Sequence, residues 1–247
     1  MAANDQDGYF GEQVAAQYDT SQGQMFDPAV IETTVDVLTE LAGRGRALEF
    51  AIGTGRIALP LARRGVSVHG IDISRAMVAR LRAKPGGDAV GVNIGDFSTT
   101  RVHGTFSLVY LVFNTIMNVT TQDAQVDCFA NAAAHLAPGG RFVVETMVPD
   151  LRLLPPGQTA VPFQIGPAQC AFDVYDVATQ AMSSNYLTIA GGRSEFSSIP
   201  FRYVWPSELD LMARLAGLRL AERWAGWRRE RFTSESRQHV SVWLKPV

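Results

Sequence analysis

Leu48-Glu49-Phe50-Ala51-Ile52-Gly53-Thr54-Gly55-Arg56 carries the clearest architectural signal in the chain. An apolar run rich in strand formers enters it, two glycines one residue apart turn it, and a helical pattern leaves it. Strand, glycine turn and helix make a nucleotide-type pocket. Small residues let the backbone approach a ligand, and the helix N-terminus attracts polar or anionic groups.

Outward from this turn, strands and helices alternate. Upstream, Asp27-Pro28 reads as an N-cap followed by proline at the first helical position, and Ile31, Val35 and Leu38 recur at helical spacing up to Gly43. Residues 1–26 hold Tyr9, Phe10 and Tyr18 without clear periodicity, as either a disordered arm or a short helix folding over the pocket. Downstream, residues 57–64 read as a helix closed by Gly65, with Pro60 tolerated near its start. Residues 66–71 form a second strand ending at Asp72, and Ser74 caps a helix running to Lys84. Residues 89–93 give a third strand before Gly95-Asp96-Phe97. Residues 106–113 give a fourth, apolar except at Ser107, as in a strand buried on both faces. A helix over 122–137, a Pro138-Gly139-Gly140 turn and a fifth strand over 141–147 complete the alternation, which implies a parallel sheet with right-handed crossovers.

Between residues 149 and 205 the pattern changes. Proline- and glycine-rich turns separate three candidate strands, 169–177, 181–189 and 194–203, with no helix between them. They predict a small antiparallel sheet inserted in the domain. Ser207 with Asp210 reads as a capping box for a helix ending at Gly217. Residues 218–227 and 238–244 then alternate as an antiparallel pair, the last strand inserted into the sheet. The expected class is α/β: a doubly wound, mostly parallel, Rossmann-like seven-stranded sheet with an antiparallel C-terminal hairpin and an inserted antiparallel β lid. Residues 1–148 and 206–247 would form the main domain, 1–26 an N-terminal cap over the pocket, and 149–205 the lid over a substrate cavity.

Composition narrows the function classes. The 247 residues fit one large domain carrying an insertion, and 47% hydrophobic content without a membrane-length apolar run predicts a soluble chain with a sizeable core. A net charge of -2 argues against a dedicated nucleic-acid surface, and the run Arg223, Arg228, Arg229 and Arg231 reads as a solvated face. The acidic, polar start is no secretory signal, so a cytoplasmic location is expected. Cys128 and Cys170 make neither a disulfide framework nor a zinc site, and no metal is expected.

The spacing Gly53-x-Gly55-x-x-Ala58 satisfies a relaxed dinucleotide fingerprint, and Asp72 ends the next strand, where a carboxylate accepts both ribose hydroxyls. An NAD-dependent oxidoreductase is therefore one reading. Three features favour another. Glu49 sits inside the motif, where a pyrophosphate makes an acid unwelcome but a sulfonium with an amino-acid tail does not. Asp96 and Phe97 offer an acceptor and an apolar face to an adenine. The closing hairpin is unlike a second dinucleotide-binding half.

Residues 49–55, Asp72-Ile73-Ser74, Gly95-Asp96-Phe97 and 135–140 together resemble the class I S-adenosylmethionine-dependent methyltransferases. The departure is Ala51, where that family most often has a glycine. The resemblance implies that Ala51, Gly53 and Gly55 lie at the methionine portion of S-adenosyl-L-methionine, Asp72 and Ile73 at the ribose, and Asp96 and Phe97 at the adenine, with Glu49 of the glycine motif also counted among the cofactor-binding residues. Val112 and Asn114 would flank the cofactor, Met77 would pack near adenine or ribose or else in the core, and Arg56 would pair with the cofactor carboxylate or lie on the surface. Tyr18-Asp19 and the inserted sheet are similar to small-molecule methyltransferases of antibiotic and deoxysugar pathways, which places Tyr18 near the methionine end. The implied partner is a small-molecule acceptor, methylated on O, N or C, with no nucleic acid and no membrane; a homodimer is also open. A non-methylating S-adenosylmethionine-binding protein is the remaining alternative.

Methyl transfer from a sulfonium is an in-line displacement driven by proximity and orientation, and a base is needed only if the acceptor must lose a proton. None of the four histidines announces itself as that base. Glu145, near the end of the fifth strand, and Tyr18 are the weak catalytic candidates. Tyr175, Tyr186, Arg202, Tyr203 and Trp205 are candidates to line the roof.

Overall fold

The computed structural model describes residues 8–21 and 26–247; residues 1–7 and 22–25 of the expected N-terminal cap lie outside the described residues. The chain is built around a seven-stranded sheet in the order β10-β11-β5-β4-β1-β2-β3. Its parallel half comprises β1 (Ala47–Phe50), β2 (Val68–Asp72), β3 (Gly91–Ile94), β4 (Phe106–Leu111) and β5 (Leu136–Met147). The closing hairpin is β10 (Arg219–Trp224) and β11 (Gln238–Leu244), with β11 slotted antiparallel between β10 and β5. The expected hairpin and its insertion are therefore present.

Alternation along the strands sorts side chains onto two faces. Leu48, Phe50, Val109 and Leu111 face α5 (Gln122–His135) and α6 (Pro206–Leu215), together with Phe129, Phe142 and Trp243. Those three rings meet at centroid distances of 5.0–6.1 Å, each contributing roughly 1.5–3 kcal/mol by burial. Ala47, Leu108, Tyr110 and Val143 face α2 (Pro28–Ala42) and α3 (Ala58–Arg63). Asp27 caps α2 as expected, its Oδ1 accepting from the Ala29 N–H at 2.8 Å. Ser74 caps α4 (Arg75–Arg82) through the Met77 N–H at 3.0 Å.

Several boundaries differ from the sequence reading. The fifth strand starts at Leu136, because Gly139 and Gly140 are not a free turn: they exchange backbone hydrogen bonds with Lys245. Ser207 and Asp210 form no capping box. Trp205 is the N-cap of α6 without a side-chain bond, Pro206 occupies the first turn, and Asp210 accepts instead from Arg223 and the Trp243 indole. The inserted sheet has four strands in sequential antiparallel order: β6 (Ala160–Ile165), β7 (Gln169–Tyr175), β8 (Ala181–Ala190) and β9 (Arg193–Arg202). The extra strand carries Pro162, which an edge strand tolerates and a central one does not, so β6 does not read as a strand in sequence. Its attachment runs through Arg202, whose buried guanidinium donates to Gln125 at 2.6 Å, Glu208 at 2.8 Å and Gln180 at 3.1 Å. N-terminally, α1 (Glu12–Ser21) is a helix packed on α4 through Ala15, Ala76 and Met77, the second of the two expected alternatives.

Candidate active site

The glycine turn leaves β1 with three residues in the left-handed region: Ala51 at φ 54°, Gly53 at φ 55° and Gly55 at φ 79°. Gly53 and Gly55 adopt it freely, whereas Ala51 bears a cost of roughly 1–2 kcal/mol for its Cβ. What holds the turn is the carboxylate at the end of β2. Asp72 accepts from the Gly53 N–H at 2.6 Å through Oδ2 and from the Ser74 N–H at 2.8 Å through Oδ1. The acid thus fastens two consecutive strand ends and the start of α4.

Below and beside this turn opens a cavity of about 770 Å³ that runs from the C-terminal ends of β1, β2 and β3 to the inner face of the four-stranded sheet. Nine of the thirteen expected cofactor residues line it: Tyr18, Ala51, Gly53, Asp72, Ile73, Met77, Asp96, Phe97 and Asn114. Four do not. Glu49 points to the opposite face of the sheet with Ala47, is 3% exposed, and accepts from the Tyr110 hydroxyl at 2.9 Å. Burial raises its pKa to about 8, against the bond from Tyr110 and the nearby Arg56 charge. In the unliganded protein it is thus chiefly protonated near neutrality, which removes the repulsion argument used against a pyrophosphate. Val112 is buried in the same layer. Gly55 and Arg56 face a separate recess of about 290 Å³ behind the turn, where the Arg56 guanidinium lies 5.4 Å from the Phe113 ring centroid.

At the end of β4, Phe113 (φ 63°) and Asn114 (φ 57°) are consecutive non-glycine residues in the left-handed region, a cost that persists only where the surroundings over-determine it. Glu145 supplies that constraint. Its Oε2 accepts from the Phe113 N–H at 2.9 Å, its Oε1 from the Trp227 indole at 2.8 Å, and its carbonyl from the Asn114 N–H at 3.1 Å. Asn114 Oδ1 accepts from the Met147 N–H at 2.7 Å. Glu145 itself does not line the cavity; its bonds hold the turn that brings Phe113 and Asn114 to the wall.

The helix α1 is latched across the mouth. Thr54 donates its hydroxyl to Asp19 at 2.6 Å, Lys84 pairs with Asp19 at 2.5 Å and donates to the Thr54 carbonyl at 2.8 Å, and Ser74 donates to the Phe10 carbonyl at 2.7 Å. This brings Tyr9, Phe10 and Tyr18 to the cavity wall. Burial raises the Tyr18 pKa, opposed by the Arg56 charge, so its phenol stays protonated.

Opposite the glycine turn, Phe163, Asp173, Met182, Ser184, Tyr186, Ile199 and Phe201 line the cavity from β6 to β9. Of the residues expected on this roof, only Tyr186 is there. Tyr175, Arg202 and Tyr203 are buried in the core beneath, and Trp205 caps α6. Sequence reasoning missed Tyr9 and Phe10 as lining residues, Phe113, Thr115, the segment from Met117 to Thr121, and Asp173. The available signals were the aromatic pair at 9–10 and the alternation of 171–175.

No histidine lines the cavity. His135 accepts from the Val102 N–H through Nε2 at 3.0 Å and donates through Nδ1 to the Asn131 carbonyl at 2.8 Å, and its pKa is lowered first by burial. It is a neutral core residue, not the helix-end cation that its position suggests. Burial likewise lowers His239 to about 3. Among the described residues no cluster of three His, Cys, Asp or Glu is arranged to hold a metal ion, and no helix is long and apolar enough to cross a membrane.

A doubly wound sheet with an antiparallel closing strand, a glycine turn and a carboxylate after β2 defines the Rossmann-like methyltransferase class. Comparison with known proteins agrees. Residues 47–140 match the model of a methyltransferase domain. The chain is similar to the CcbJ methyltransferase of Streptomyces caelestis, at 35% identity and TM-score 0.85 over 96% of this chain and 98% of that one. It is 25% identical over 238 residues to a cypemycin N-terminal methyltransferase of a Streptomyces species, covering 94% of this chain and 96% of that protein. CalS10, an amino pentose methyltransferase from Micromonospora echinaspora involved in calicheamicin biosynthesis, shares the fold (TM-score 0.70, 22% identity, 94% and 97% coverage).

The protein belongs to the S-adenosylmethionine-dependent methyltransferases, of the class I small-molecule kind. That membership sets aside the NAD-dependent oxidoreductase reading.

Proposed function

We propose that the chain binds S-adenosylmethionine along the glycine turn and directs its methyl group to the amine nitrogen of a small molecule held beneath the four-stranded sheet. The observation that carries this reading is the charge of the cavity wall. The acidic side chains lining it among the described residues are Asp72, Asp96 and Asp173, with no lysine, arginine or histidine. Such a wall suits a sulfonium at one end and a cationic product at the other, and it repels phosphate- or carboxylate-bearing acceptors. The cypemycin enzyme, by its name, methylates an amino terminus, which also favours nitrogen.

The residues suit the cofactor. Asp72, oriented by the Gly53 and Ser74 N–H groups, stands at the end of β2 on the cavity wall, where ribose hydroxyls would reach it. Asp96 is fixed through Oδ1 by the Ser98 N–H and hydroxyl, beside Phe97. The left-handed backbone at Ala51 and Gly53 leaves room for the methionine end, next to Tyr18 and Met77. When bound, S-adenosylmethionine supplies an electrophilic methyl: the amine lone pair forms the N–C bond as the C–S bond breaks onto sulfur, and positive charge passes to nitrogen. The residues 149–205 serve as the acceptor roof, residues 8–21 as the lid over the cofactor, and the remainder as the cofactor-binding domain.

The test is calorimetry with S-adenosylmethionine and with NADH, followed by transfer of a labelled methyl group to small amines. Binding of S-adenosylmethionine alone, with label on nitrogen, is the expected result. Absence of binding would overturn the reading, and binding without transfer to any acceptor would leave a non-methylating cofactor-binding protein.

A further inference from the structure

Of the acids lining the cavity among the described residues, Asp173 is the one on the inserted sheet. It projects from β7 into the roof of the cavity, in a cross-strand row with Ser184 on β8 and Ile199 on β9, both of which also line the cavity. Among the described residues no lysine, arginine or histidine forms an ion pair with it. Its neighbours are hydroxyls: Ser184 Oγ donates to Oδ1 at 2.6 Å, and Tyr175 lies two residues along the strand. One donor cannot saturate the roughly four lone-pair sites of a carboxylate. It orients the group and leaves acceptor capacity toward the cavity. Around it the wall is aromatic, with Phe163 and Tyr186 packed edge to face at 5.8 Å and Tyr9 entering from the N-terminal segment. A carboxylate set among aromatic faces is the chemistry that recognises a compact organic cation.

We infer that Asp173 is the acceptor-binding carboxylate, receiving the amine nitrogen and standing beside the positive charge that nitrogen acquires. The inference rests on the amine reading of the site and adds the residue that enforces it. Its position on the roof, at the opposite end from Asp72 and Asp96, separates acceptor recognition from cofactor recognition. Burial raises the Asp173 pKa while the Ser184 and Tyr175 hydroxyls oppose the rise. An arriving ammonium favours the ionised carboxylate against that rise, so the site is stronger for a cation than for a neutral hydroxyl in the same place, and the ammonium gives its proton to solvent before the lone pair attacks.

The test uses the full chain loaded with S-adenosylhomocysteine. Methyl glycosides of aminosugars, and the same glycosides with hydroxyl in place of amine, are titrated by calorimetry into wild type, Asp173→Asn and Ser184→Ala. Wild type is expected to prefer the amine by about tenfold or more. Asp173→Asn should bring the two within about threefold while S-adenosylhomocysteine affinity stays unchanged, and Ser184→Ala should lower the preference by a smaller factor. Unchanged discrimination in Asp173→Asn with intact cofactor binding would overturn the role of Asp173 alone. Should that variant fail to fold, unchanged discrimination in Ser184→Ala overturns it. Equal binding of amine and hydroxyl glycosides by wild type would overturn the amine reading itself, and this inference with it.

Discussion

Replacing Glu49 with glutamine should make the protein less sensitive to alkaline pH. Glu49 is sealed behind the glycine turn, accepts from the Tyr110 hydroxyl and from the Ala58 backbone at the start of α3, and has its pKa raised by burial to about 8. An acid whose folded pKa lies above its unfolded value of 4.5 binds a proton more tightly in the folded state. Stability is therefore full below pH 4.5 and declines as pH rises toward 8. The buried histidines act oppositely and lower down. His135 and His239 are depressed below 6.5, so their linkage is complete by about that pH. Between pH 6.5 and 8 the Glu49 slope is left as the main one, worth roughly 1–2 kcal/mol at 1.36 kcal/mol per pH unit. For a chain of this size that is a fall in Tm of roughly 2–8 °C. Glutamine keeps an oxygen for Tyr110 and Ala58 but cannot ionise. Thermal unfolding of both proteins at pH 6.5 and 8.0 should show the fall in wild type and a flat response in Glu49→Gln. Equal slopes in the two would refute the assignment of a neutral, buried Glu49.

Other consequences follow from the site geometry. Asp72→Asn weakens the carboxylate that accepts from Gly53 and Ser74, and calorimetry should find S-adenosylmethionine affinity down by roughly tenfold or more. Glu145→Gln turns an amide N–H₂ toward either the Phe113 N–H or the Trp227 indole, so denaturant unfolding should show a loss of roughly 1–3 kcal/mol. Its pH–rate profile should keep the wild-type shape, and loss of the acid-side limb would restore Glu145 as a base. Tyr18→Phe should weaken cofactor binding or turnover, and kinetics unchanged in both would remove Tyr18 from the site.

The fold was legible because its signals are local and repetitive: period-two strands, caps at Asp27 and Ser74, and glycines where the chain must turn left-handed. The glycine turn, Asp72 and Asp96-Phe97 were legible for the same reason, since each lies at a strand end that topology brings to one edge. What escaped depends on which face of a strand looks inward. Glu49 belongs to the motif in sequence but alternates away from the cavity, whereas Asp173 belongs to no motif and alternates into it. Tyr175 and Tyr203 looked like roof aromatics and instead pack ring to ring in the core at 5.6 Å. The Ser207-Asp210 spacing satisfied a capping box, yet Asp210 is drawn to Arg223 and Trp243, a tertiary competition that no local pattern reveals.

The most direct measurement is a crystal structure of the protein with S-adenosylhomocysteine and an aminosugar glycoside. The account predicts ribose hydroxyls on Asp72, adenine beside Asp96 and Phe97, and the amine on Asp173 with the sulfur turned toward it. A cofactor seated in the recess at Gly55 and Arg56, or an acceptor amine facing away from Asp173, would contradict it.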